Sequence, residues 1–183
     1  GPLAEHVARA VSPDGTVVEV GSGTGTLTAR LAAALPGGTV VGIDGDEDML
    51  ARARAKTDAP NVEWRLGLAG DLPAQEASAD AAVMSLLLHH LDGPAKAAAL
   101  REARRVLRPG GTLHIADWGA PQDFVARGGF LLLRLLDGFA NTRDHAEGRI
   151  PALVETAGFD AVRRWRRVRT AWGTMELLEA RRR

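Results

Sequence analysis

The chain has 183 residues, with 23 basic side chains against 23 acidic ones and no cysteine. That length supports one domain with a proper core, and the zero formal net charge offers no global field to nucleic acid or an acidic membrane surface. Without cysteine there is no disulfide, no thiolate metal site and no thiol nucleophile.

In chain order, Leu3 to Val11 has the spacing of a short amphipathic helix, closed by the turn cluster Ser12-Pro13-Asp14-Gly15. Thr16 to Val20 is a first strand. Thr26 to Leu35 is a crossover helix, stopped by Pro36-Gly37-Gly38. Thr39 to Ile43 is a second buried strand ending in Asp44, and Asp46 caps a helix that runs through Lys56 with Met49 and Leu50 inside. Val62 to Leu66 is a third strand, Ala79 to Leu87 a fourth, and Pro94 to Leu107 a long helix stopped by Arg108-Pro109-Gly110-Gly111. Thr112 to Ala116 is a fifth strand, ending at Asp117-Trp118. Strands alternate with helices at crossover spacing, which predicts an α/β fold with a parallel sheet and helices on both faces. After Gln122 the pattern changes. Phe124 to Phe139 reads as one helix, Asn141 to Ala157 carries another ended by Gly158, and Phe159 to Thr170 and Met175 to Ala180 read as strands joined across Ala171-Trp172-Gly173-Thr174.

The stretch Glu19-Val20-Gly21-Ser22-Gly23-Thr24-Gly25 stands between the first strand and its helix. Glycines there admit backbone angles closed to other residues and let a ligand approach the main chain. A dinucleotide fingerprint G-x-G-x-x-G would place its third glycine at position 26, which is Thr. Asp44, at the carboxyl end of the second strand, can accept from both hydroxyls of a ribose. His89 and His90 follow the fourth strand. No acid cluster flanks them at ligand spacing, so no metal is expected.

Read as E-x-G-x-G-x-G, Glu19 to Gly25 resembles the first motif of the class I S-adenosylmethionine-dependent methyltransferases. The segment Ala79 to Gly111, with Leu88-His89-His90-Leu91 and Arg105-Val106-Leu107-Arg108-Pro109-Gly110-Gly111, is similar to the small-molecule families that include the ubiquinone and menaquinone biosynthesis enzymes. The resemblance covers residues 3–118 and, more loosely, the remainder. It implies a Rossmann-like, doubly wound, mostly parallel seven-stranded sheet with a C-terminal antiparallel β-hairpin. One methyltransferase domain then occupies 1–183, with a cofactor-binding core at 3–118 and substrate-side helices and the hairpin at 119–183.

The same resemblance implies S-adenosylmethionine as cofactor and its contacts. Glu19 and Gly21 would hold the ammonium, with Ser22, Gly23 and Gly25 completing the turn. Asp44, beside Gly45 and Met49, would take the ribose, and Gly70, Asp71 and Leu72 the adenine. Ser85 and Leu86 would flank the methionine portion. His90 and His145 are the candidate bases on the acceptor side. The implied reaction is in-line methyl transfer to a small apolar or aromatic acceptor, in which alignment can supply roughly 7–11 kcal/mol. A noncatalytic binding module and an NAD(P)-dependent oxidoreductase are the alternative readings.

Phe130 to Leu136 can serve as core, acceptor pocket or homodimer face. The basic run Arg163 to Arg169 reads as the solvent face of an edge strand, since Lys56 and Lys96 are the only lysines and arginine is simply this chain's cation. No apolar run approaches the roughly 20 residues that span a bilayer. No signal peptide is visible, so the expected location is the cytoplasm, and the missing initiator Met before Gly1-Pro2 points to sequence trimmed upstream.

Overall fold

The structure is a computed structural model that describes residues 1–120, 138, 141–170 and 173–183. The elements are α1 (Pro2–Ala10), β1 (Thr16–Val20), α2 (Thr26–Ala34), β2 (Thr39–Asp44), α3 (Glu47–Lys56), β3 (Val62–Leu66), β4 (Ala79–Ser85), a 3-10 turn (Leu88–His90), α4 (Gly93–Val106) and β5 (Leu107–Trp118). Two short helices, α5 (Arg143–Ala146) and α6 (Ile150–Thr156), lead into β6 (Phe159–Thr170) and β7 (Gly173–Arg182).

The seven strands form one sheet in the order β3-β2-β1-β4-β5-β7-β6. Strands β3 to β5 pair in parallel, and β7 runs antiparallel to both β5 and β6. This is the doubly wound sheet with a terminal antiparallel hairpin that the resemblance implies. The sequence also explains the two layers. Val17, Val40, Ala81 and Val83 point to one face and pack against Ala4, Val7 and Leu31 of α1 and α2. Their strand neighbours Val18, Val41, Ala82 and Met84 point to the other, against Leu100 and Ala103 of α4 and Val154 of α6. Continuous apolar strands are what a parallel sheet covered on both faces requires.

Several boundaries differ from the sequence reading; the fourth strand ends at Ser85, two residues before Leu87. The α4 helix ends at Val106, and Leu107 to Gly111 belong to β5, whose pairing with β4 shifts register between Ala79 and Ala81. Asn141 to Ala157 is two helices: Gly148 takes a left-handed φ of 67°, and Pro151 then starts α6 within its first turn, where its missing N–H costs nothing. The last strand runs from Gly173 to Arg182, longer at both ends than expected. The expected helix Phe124–Phe139, the Phe130–Leu136 run and the Ala171-Trp172 half of the hairpin turn lie outside the described residues, Gly138 excepted. Among the described residues no helix is long and apolar enough to cross a membrane.

Arginines of β6, the edge strand, answer to carboxylates on β7. Arg163 donates to Glu179 at 3.0 Å, and Arg164 and Arg167 hold Glu176 at 2.9 and 3.0 Å. His6 of α1 meets the same Glu179 at 2.5 Å and stacks on Trp165 at 4.0 Å between ring centroids. His114 lies beside them, with the three donor groups within 4.8 Å of one another. Arg163 already occupies that carboxylate, so the group acts as a buttress that pins α1 to the sheet. Burial pushes the His114 imidazole down to about 4, which keeps it neutral there.

Candidate functional site

The turn after β1 is built by hydrogen bonds to the neighbouring strand. Gly21 and Ser22 N–H both donate to the Ile43 carbonyl, at 2.8 and 2.9 Å, and Gly25 N–H closes the loop onto Ser22 at 2.9 Å. Two of the glycines answer different demands. Gly25 has φ 73°, and a Cβ there would sit 2.5 Å from Cη2 of Trp64, so this glycine makes room for a protein ring. The other edge of that indole lies where a Cβ on Gly42 would stand, again at 2.5 Å. Gly23, with φ 51°, is the opposite case: a Cβ on it would meet nothing within 4 Å. Bare main chain therefore faces open space at Gly23, and the neighbouring Ser22 hydroxyl is buried without a hydrogen-bond partner. A buried hydroxyl left unpaired is costly unless something supplies its partner.

Asp44 sits directly beneath this opening. Its Oδ2 accepts from Gly23 N–H at 2.7 Å and its Oδ1 from Asp46 N–H at 3.0 Å. A carboxylate offers about four acceptor positions, so capacity remains on both oxygens for a diol. The helix cap belongs to Asp46, whose side chain accepts from Asp48 and Met49 N–H. Gly45 follows Asp44 on the exposed surface, and Met49 is half-buried at the start of α3.

Glu19 lies under the turn on the α2 face of the sheet, only 2% exposed. Thr28 Oγ1, from α2, donates to its Oε2 at 2.5 Å. Burial pushes the carboxyl up to about 8; the Thr28 hydrogen bond opposes this, and the charge of Asp44 adds to it. Glu19 is therefore a protonated acid at neutral pH until a cation approaches.

At the adenine end the structure redistributes the expected roles. Gly70 and Asp71 are exposed, with Asp71 bridged to Leu68. Leu72, however, is 3% exposed and belongs to the core, and its N–H donates to Glu102 at 2.8 Å. The chain dips inward there because Arg105 and Glu102 of α4 grip the backbone of Leu72 and Ala74. The apolar group presented at that edge is Leu68, 68% exposed and beside Gly45. Residue-by-residue reading missed Leu68; an unpaired leucine between two glycines, Gly67 and Gly70, was the available signal.

At the carboxyl ends of β4 and β5, Ser85 is half-buried and Leu86 is exposed with φ 53°, its N–H donating to Ala116 at 2.8 Å. A leucine in that region of backbone space is strained by about 1–3 kcal/mol. Asp117 closes the end of β5. It accepts from Leu88 and Trp118 N–H at 2.8 and 2.7 Å, and from His89 Nδ1 at 2.7 Å. His145 Nε2 lies 3.7 Å away. Burial would raise this carboxyl, but the neighbouring His145 and His89 imidazoles outweigh it and hold Asp117 well below the usual carboxylate range.

The two candidate bases part company here. His145 is fully buried beside Asp117, on the α5 segment. His90 is exposed on the 3-10 turn, its ring 3.9 Å from that of His89. Behind it, fully buried Lys96 of α4 donates to the Asn141 carbonyl at 2.5 Å and to Asp144 at 3.1 Å, tying down the same segment.

Beside Ser85 and Leu86, on the α1 and α2 face, a cleft of about 530 Å³ opens between the helix starts and strands β5, β7 and β6. Leu3, Leu27, Ala116 and Leu177 form its apolar walls. Its volume is in the range of a small-molecule site.

The seven-stranded sheet and the open glycine turn after its first strand are those of a methyltransferase domain. Residues 17–111, more than half of the chain, match the family model described as Methyltransferase domain, and the chain belongs to that family. It is 34% identical over 160 residues to the arsenite methyltransferase of Halobacterium salinarum, covering 84% of this chain and 39% of that protein. Against the demethylmenaquinone methyltransferase of Tropheryma whipplei it is 39% identical over 111 residues, covering 60% of this chain and 44% of that one. The chain thus spans less than half the length of both. Among solved structures, an S-adenosylmethionine-dependent methyltransferase from Methanosarcina mazei shares the fold with a TM-score of 0.77 at 20% identity, over 97% of this chain and 96% of that one.

Proposed function

We propose that this chain is an S-adenosylmethionine-dependent methyltransferase for a small apolar or aromatic acceptor. One observation carries the reading: Asp44 stands 2.7 Å below the Gly23 amide, at the one glycine of the Gly21–Gly25 turn with open space above it, beside the Ser22 hydroxyl, which has no partner among the described residues. These groups fit an adenosyl ligand bearing an α-amino acid. Asp44 would accept from the ribose hydroxyls, Ser22 and the turn amides would meet the amino-acid portion, and Glu19 would counter its ammonium. Leu68 and Asp71 would flank the adenine.

The bound cofactor would supply a methyl group on a sulfonium, whose leaving group departs neutral. What the protein contributes is alignment. The cleft beside Ser85 and Leu86 would hold the acceptor, and its apolar walls exclude water from the reacting end. For an acceptor that carries a proton, His90 is the exposed imidazole on the adjoining turn.

Calorimetric titration with S-adenosylmethionine, S-adenosylhomocysteine and NADH, on the wild type and Asp44→Ala, tests this. Micromolar binding of the adenosyl ligands, lost in the variant, is expected. Binding of NADH alone would overturn it in favour of an oxidoreductase, and no binding of any of the three would favour a noncatalytic module.

A further inference from the structure

The cleft beside Leu86 is apolar in its walls but not in its charges. Two guanidinium groups line it, Arg30 from α2 and Arg166 from β6, and no carboxylate does among the described residues. The other arginines of β6 show how unusual this is. Arg163 is held by Glu179, Arg164 and Arg167 by Glu176, and Arg169 also has an interaction partner. Arg166 has none among the described residues. In the ladder the pairing of β6 with β7 shifts register between Arg164 and Arg166, and Arg166 stands opposite Leu177. Arg30 likewise makes no ion pair among the described residues.

Two exposed guanidiniums with no carboxylate partner among the described residues, at the rim of an apolar cleft, leave their N–H forks open to an anion held there. Arginine is suited to that anion, because its planar fork matches a carboxylate with two parallel hydrogen bonds. We propose that the acceptor is itself an anion: an apolar, ring-sized body that fills the cleft and carries a carboxylate clasped by Arg30 and Arg166. The inference rests on the methyltransferase reading for calling the occupant an acceptor. Its charge preference stands on the cleft alone.

The test uses 2-naphthoate and its neutral counterpart 2-naphthamide as probes, titrated into the wild type, Arg30→Gln and Arg166→Gln, with S-adenosylhomocysteine titrated in parallel. Both arginines are exposed, so the variants should fold. The wild type is expected to bind naphthoate at least about tenfold more tightly than naphthamide, a difference of about 1.4 kcal/mol. Each substitution should remove most of that preference and leave naphthamide binding unchanged. Equal affinity for the two probes, or a naphthoate affinity indifferent to both substitutions, overturns the proposal. So does the absence of naphthoate binding at millimolar concentration. Loss of S-adenosylhomocysteine binding in the arginine variants overturns it too, since the guanidiniums would then serve the cofactor's own carboxylate. If the wild type binds naphthoate selectively but no S-adenosylhomocysteine, the anion site stands and the methyltransferase reading fails.

Discussion

Glu19 and Asp117 are equally buried, each 2% exposed, yet they sit on opposite faces of the sheet in opposite charge states. Glu19 on β1 has one neutral hydroxyl donor and the charge of Asp44 nearby, and its carboxyl is pushed up to about 8. Asp117 on β5 has two backbone amides and two imidazoles around it and is held well below the usual range. Burial alone does not decide the protonation of a carboxyl; its donors do. One group is a permanent anion that fastens the structure. The other keeps its proton at neutral pH.

The largest effect should come from breaking the fastened member. Asp117→Ala leaves Leu88 N–H and His89 without their acceptor in the core, and urea denaturation at pH 7 should show a loss of about 3–5 kcal/mol. Because the folded Asp117 is shifted below its ordinary value of 3.8, its contribution is present above that value and fades as the pH falls beneath it. The variant should therefore lose less stability than the wild type on acidification; parallel acid sensitivity would contradict the assignment.

Glu19→Gln tests the other member through the pH dependence of stability rather than its size at pH 7. Between the ordinary value of 4.5 and about 8, folded Glu19 keeps a proton that the unfolded chain has released. Folding takes up a proton over that window, so stability falls with rising pH, by at most about 1.4 kcal/mol per pH unit. The glutamine variant should lack this decline when denaturation midpoints are compared from pH 5 to pH 9. The smallest effect sharpens the contrast. If the ammonium of S-adenosylhomocysteine approaches Glu19, binding at pH 7 should release a fraction of a proton. Titration in buffers of different ionisation enthalpy should detect that release in the wild type and not in Glu19→Gln.

Much of the first half of the chain was legible because its signals are local. The strand, glycine turn and helix at Val17 to Leu35, the acid ending β2 and the Asp46 cap all depend on residues within a few positions of one another. Trp64 shows where such reading stops. It explains Gly25 and Gly42, yet it lies 39 and 22 positions from them, and nothing local announces it. Asp117 read as a strand end, while its role comes from His89, 28 positions earlier, and from His145, 28 positions later. The arginine run was legible as an edge strand. That Arg166 stands without a partner among the described residues, opposite Leu177 after a register shift in the β6–β7 ladder, is something a one-dimensional pattern does not contain. Leu72 makes a related point: whether a leucine in a turn faces out or in is decided here by Glu102 and Arg105, a helix away.

Lys96 has a practical corollary. It and Lys56 are the only lysine amines in the chain, and only Lys56 is exposed. An amine-reactive reagent should label Lys56 at once and reach Lys96 only when the segment from Asn141 to Asp144 lifts off α4. The rate of that second labelling, read by mass spectrometry, is a built-in clock for the opening of one corner of the molecule.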